Sequence, residues 1–142
     1  MLANQEKGRN PVRYLCIVHA DPQLMAALSP EEHRALSAEC GAYDRALIAR
    51  GKLIAAEALA APKTARIVRT KGGKAVVTDG PYAESKEVLC GFLFIEAASF
   101  AEAVEIAHHC PMSRVGAIEV RPQMTARAGA DDATWDEAIN RP

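Results

Sequence analysis

The sequence predicts an α+β fold, a ferredoxin-like βαβ–βαβ plan with an inserted β-hairpin, and three observations carry that reading. Apolar β-rich runs and helix-periodic segments alternate in the order β-α-β-β-β-β-α-β. Ser29-Pro30-Glu31-Glu32 and Ser99-Phe100-Ala101-Glu102 both place Glu three residues after a capping Ser, the pattern that opens helices. Gly72-Gly73 separates two β-rich runs, and paired glycines supply the positive φ angles of a two-residue hairpin turn.

The elements follow in chain order. Arg13 to Ala20, RYLCIVHA, reads as the first strand. A helix over about 30–50 starts with Pro30 at its first position, where a missing N–H costs nothing. Leu36, Cys40, Tyr43 and Leu47 fall on one stripe of it, and Gly51 stands where a left-handed residue ends helices. Leu53 to Leu59 reads as the second strand, with 65–71 and 74–78 as the hairpin. Val88 to Glu96 is the most strand-like stretch. The second helix runs from Ser99 to the stop at Pro111, with Phe100, Ala103, Val104 and Ala107 inward, and Val115 to Arg121 closes the domain. Residues 1–12 are expected to be a flexible leader, 13–122 the domain, and 123–142 a tail with a short helix near 134–139.

Composition narrows the function classes. The 142 residues make one domain, and 49% hydrophobic content suffices for a core at that length. Seventeen basic and 18 acidic residues leave a net charge of −1, so no field is present to hold a polyanion. Nucleic acid and membrane are therefore not expected partners. Gly91-Phe92-Leu93-Phe94-Ile95 invites comparison with the aromatic strand of an RNA-recognition motif, but Cys90 stands where a basic residue is needed and Leu93 where a small one is. The four cysteines form no CxxC pair and no apolar secretory segment precedes them, which points to reduced thiols in a cytoplasmic protein. No metal or cofactor signature is present. His108, His109 and Cys110 are consecutive, and neighbours on a helix diverge by about 100°, so they make no metal site.

The strands at 14–18 and 88–95 are apolar on both faces, with Val88, Cys90, Phe92 and Phe94 on one side and Leu89, Leu93 and Ile95 on the other. Two helices cover one face of such a sheet. A second copy of the chain is the expected cover for the other, giving a two-fold homodimer.

Several residues are candidates for chemistry. Asp79 ends a strand before the Gly80-Pro81 turn, and Tyr82, Glu84, Lys86 and Glu87 crowd behind it. Asp79 is either a turn cap or part of a site, its carboxylate then expected on backbone amides or on Lys86 at a pocket mouth. Glu57 is expected on one strand face with Leu53 and Leu59, and Glu119 lies between Ile118 and Val120. A carboxylate on an apolar strand is either an acid–base group or a partner for Arg121. His19 ends the first strand, from which it can reach a cleft mouth. Asp79, Glu57 and Glu84 are thus the candidate acid–base groups, and His19, Tyr82, Lys86, Glu119 and Arg121 the candidate ligand contacts.

The segment Asp79 to Glu87, DGPYAESKE, closely resembles the DGPF motif, DGPFAETKE in typical members, of the YCII-related family. The resemblance extends over about 13–122 through the 51–59 pattern, Gly91-Phe92, Cys110-Pro111 and the closing Ile118 to Pro122. It implies a dimeric α+β barrel. It also implies either small-molecule lyase-like chemistry without metal, as in relatives acting on aromatic ring compounds, or a regulatory module beside an extracytoplasmic-function sigma factor. Wider relatives resemble users of a His–Asp dyad, whose positions are Cys40 and Cys110 here. That dyad does not transfer. The two thiols are expected to be inert, reduced and close in the fold.

Overall fold

The computed structural model describes residues 12–83 and 85–124. Its elements are β1 (Val12–Ala20), α1 (Pro22–Ala26), α2 (Pro30–Ala49), β2 (Leu53–Ala58), β3 (Arg66–Lys71), β4 (Lys74–Asp79), β5 (Val88–Ala97), α3 (Phe100–His108) and β6 (Gly116–Pro122), with single 3₁₀ turns at Pro62–Thr64 and Pro111–Arg114. The order β2-β5-β1-β6 forms one antiparallel sheet, and β3-β4 forms a separate two-stranded ribbon. This α+β architecture is compatible with the ferredoxin-like plan. Glu84, the leader residues before Val12 and the tail helix expected near 134–139 lie outside the described residues. No described helix is long and apolar enough to cross a membrane.

Local chemistry explains the elements. Ser29 accepts from Glu32 N at 3.1 Å and Glu32 Oε1 accepts from Ser29 N at 3.0 Å, completing the capping box of α2. At its other end Lys52 N donates to Leu47 O and Gly51 N to Ile48 O, both at 2.9 Å, with Gly51 at φ 67°. This pair of bonds satisfies carbonyls that the helix leaves orphaned. The ribbon turns at Gly72 and Gly73, with φ of 57° and 75°.

Two local details depart from expectation. The second capping box is only half made. Ser99 accepts from Glu102 N at 3.1 Å, but the Glu102 carboxylate pairs with Lys52 Nζ at 2.6 Å and ties α3 to the end of α2. A short helix, α1, also follows β1. Asp21 caps it, accepting from Gln23 N at 2.9 Å, and Pro22 occupies its first turn. The Asp-Pro pair was the available signal.

The core lies between the sheet and α2 and α3. Tyr14, Cys16, Val18, Leu93, Ile95 and Ala97 point into it and meet Leu47, Ala103, Ile106 and Cys110. Leu15, Ile17, Phe92 and Phe94 alternate to the opposite face, which no described element covers as α2 and α3 cover the first. Two register shifts correct the expected faces. Val18 pairs with Gly91 and His19 with Leu89, so Cys90 is an extra residue in β5. The resulting bulge places Cys90 against the helix-side core, away from Phe92 and Phe94. In β2, Leu53 pairs with Ile95 but Ala55 with Phe94, so Ile54 is extra. Leu53 therefore faces the helices while Glu57, opposite Phe92, lies on the open face.

Candidate functional site

The open face carries polar groups in a defined lattice. Residues directly opposed in antiparallel strands share a face. One row runs Glu57, Phe92, Ile17, Glu119, and the next runs Ala55, Phe94, Leu15, Arg121. At one end of the sheet His19 stands between Leu89 and Ala117. Glu119, on the neighbouring row, reaches His19 with Oε1 at 3.2 Å from Nε2. The imidazole is about one-quarter exposed and the carboxylate about half. Nε2 donates in the tautomer that carries its proton there, which leaves Nδ1 as an acceptor.

His19 also lines a cleft of about 930 Å³. The floor is Val88 and Leu89 of β5. One wall is the 59–65 segment that leaves β2, and the other is the Pro81–Ala83 turn with Ser85 and Glu87. The turn is held in place because Gly80 N donates to Ala65 O at 3.0 Å. A Cβ on Gly80 would lie 2.7 Å from Ala65 Cβ, so glycine permits the approach. The Ser85 hydroxyl donates to Glu87 O and shapes the far side of the loop.

The fold gathers some of the sequence-derived residues and separates others. His19 and Tyr82 share the cleft, and Glu119 joins them through its bond to His19. Tyr82 is largely exposed, with the Arg69 guanidinium 5.8 Å from its ring centroid. Asp79 points outward. Its side chain is 91% exposed and its partner is Arg66, across the ribbon at 3.6 Å, rather than backbone amides or Lys86. Lys86 is exposed and has no ion-pair partner among the described residues. Arg121 does not pair with Glu119. It ends an apolar groove of about 420 Å³ floored by Phe92, Phe94 and Leu15.

A third concavity, on the helix side of the sheet, was not anticipated as a site. Cys40, Cys90 and Cys110 line a cavity of about 250 Å³ together with Met112 and Tyr43. Cys40 and Cys110 are thus neighbours, at the positions where the wider family resembles a His–Asp dyad. Burial pushes the Cys40 and Cys90 thiols up, and raises Cys110 to about 11. No group of three or more His, Cys, Asp or Glu is arranged to hold a metal ion among the described residues.

The YCII-related domain model matches residues 12–126. The chain belongs to the YCII-related family. An uncharacterized protein of Rhizobium meliloti is 32% identical over 118 residues, covering 82% of this chain and 95% of that protein. In this YCII-related chain the β1, β5 and β6 strands that position His19 and Glu119 all lie inside the matched region.

Proposed function

We propose that the protein is a cytoplasmic, homodimeric member of the DGPF branch that binds a small polar molecule and performs metal-free acid–base chemistry on it. The observation that carries this reading is the His19–Glu119 pair at 3.2 Å, set at the edge of a 930 Å³ cleft whose other wall is the motif turn. A carboxylate bonded to one ring nitrogen fixes the ring's orientation and tautomer. The other nitrogen is then available to take or deliver a proton at a bound ligand. Tyr82 supplies a contact from the motif side, and Glu57 is a further acid on the open face.

A thermal-shift screen of small hydroxy and keto acids tests the cleft. A hit should stabilise the wild type and lose that stabilisation in His19→Gln. Any turnover of the hit should fall at least ~10²-fold in His19→Gln, the usual effect of removing a general acid–base group. Full retention of both in His19→Gln defeats the assignment. Stabilisation without turnover marks the non-catalytic binding module, the alternative beside a sigma factor.

The dimer reading rests on the half-buried apolar strip of Leu15, Ile17, Phe92 and Phe94. A two-fold axis parallel to the strands sets the β2 edge of one copy over the β6 edge of the other, with sheets about 10 Å apart. Sedimentation at low micromolar concentration is expected to show twice 15.2 kDa. Phe92→Glu, at the centre of that strip, should weaken the dimer. A monomeric wild type overturns this reading.

A further inference from the structure

We propose that the sulfur-lined cavity on the helix side of the sheet is a binding site for a compact, neutral, apolar molecule of about the size of two fused six-membered rings. Three elements each bring a thiol to it: α2 with Cys40, the β5 bulge with Cys90, and the residue before Pro111 with Cys110. Met112 adds a fourth sulfur. Sulfur is soft and polarisable, and thiols and thioethers make favourable contacts with apolar and ring ligands.

The room is built by small residues. The helix-facing positions of β2 are Ala56, opposite Leu93, and Ala58, opposite Gly91. Gly91 cannot carry a side chain, since a Cβ there would lie 2.8 Å from Glu57 O. The β5 bulge at Cys90 then turns a small thiol, rather than a Leu or Phe, toward the gap. The volume of about 250 Å³ exceeds the ~150 Å³ apolar cavity that admits benzene, so two fused rings are a fitting occupant.

The lining selects for neutrality. Burial holds the three thiols protonated at neutral pH. The Tyr43 hydroxyl is already spent, donating to Ile106 O at 2.5 Å. No lysine, arginine or histidine lines the cavity, and the ionisable residues other than the thiols and Tyr43 are Asp44 and Glu57. An anion therefore meets the Asp44 carboxylate and no cation, while an apolar molecule meets sulfur and methyl groups. The site lies across the sheet from His19, because Val18 faces the core and His19 the open side.

Naphthalene is the probe, with 2-naphthoate as its charged counterpart. Naphthalene should give a saturable rise in Tm of about 3 °C, and should slow alkylation of Cys40 and Cys90 by N-ethylmaleimide at least five-fold. The naphthoate should do neither. Ala56→Leu fills the cavity and should abolish both effects while the free protein keeps its Tm. Cys40→Met extends into the same space from α2 and serves as the second filling variant. His19→Gln should leave naphthalene binding unchanged, which separates this site from the His19 cleft. Absence of saturable binding by the wild type, equal binding of naphthoate, or undiminished binding in the folded filling variants overturns the proposal.

Discussion

Replacing Gly116 with alanine is expected to destabilise the fold by about 3 kcal/mol, at the upper end for an overpacked site. A Cβ at Gly116 would stand 1.9 Å from His19 O and 2.8 Å from Ala20 Cα. Both are backbone atoms of the central strand β1, so no side-chain rotation can relieve the clash. The β6 strand must withdraw from β1 at Ala20 and His19, where Gly116 and Ala117 pair with them. Asp21 N donates to Val115 O at 2.8 Å just beyond, and that bond is strained by the same movement. Glu119 rides on β6 three residues away, so its contact with His19 should be lost as well. Urea unfolding checks the energy, and the nuclear magnetic resonance shifts of the His19 ring check the contact. Gly91→Ala is the control. Its closest approach, 2.8 Å to Glu57 O, is far less severe than the 1.9 Å at Gly116, so its loss should be smaller. A Gly116→Ala stability within ~0.5 kcal/mol of wild type, the range of ordinary surface changes, contradicts this account of the β1–β6 contact.

Alkaline conditions are expected to unfold the protein through its buried thiols. Burial, with a smaller contribution from Cys110, raises Cys16 from 9.0 to about 11, and burial raises Cys110 likewise from 9.0 to about 11. The folded chain thus holds these protons to higher pH than the unfolded chain. Unfolding releases protons between pH 9 and 11, and rising pH in that window favours the unfolded state. Below pH 9 the contribution is flat. At pH 10 the loss is about 1 kcal/mol per thiol. Burial also pushes the Tyr43 phenol up, which extends the same slope to higher pH. Urea unfolding from pH 7 to 10.5 should show stability falling above pH 9. Cys16→Ala with Cys110→Ala should be less stable at pH 7 but lose less on going to pH 10. An equal pH slope in wild type and double variant removes the thiols as its cause.

Much of the architecture was legible because it rests on local chemistry. The Ser29–Glu32 box, Gly51 and the Gly72-Gly73 turn each act within a few residues, so their consequences can be read in one dimension. Apolar residues on both faces likewise marked β1 and β5 as strands. The strand faces near the candidate sites were less legible. A register shift changes the face of every residue beyond it. The extra residues Ile54 and Cys90 do this, sending Leu53 and Glu57 to opposite faces and Cys90 into the core. No residue type at 54 or 90 announces a bulge, since it arises from pairing between strands distant in sequence.

DGPYAESKE and the order of elements sufficed to indicate the family, and strand or motif position sufficed to single out His19, Tyr82 and Glu119 among the candidates. Which of these meet depends on how the strands pair. His19 and Glu119 are 100 residues apart, and they touch because β6 returns antiparallel beside β1. Asp79 stands in the motif itself, yet the β3–β4 ribbon is separate from the main sheet and carries its carboxylate out to Arg66. Cys40, Cys90 and Cys110 sit on three distant segments and converge because α2 and the turn after α3 pack over the same small-residue patch of the sheet. Sequence proximity controls caps and turns, whereas register, crossover and packing over long separations control sites, and those depend on the whole chain at once.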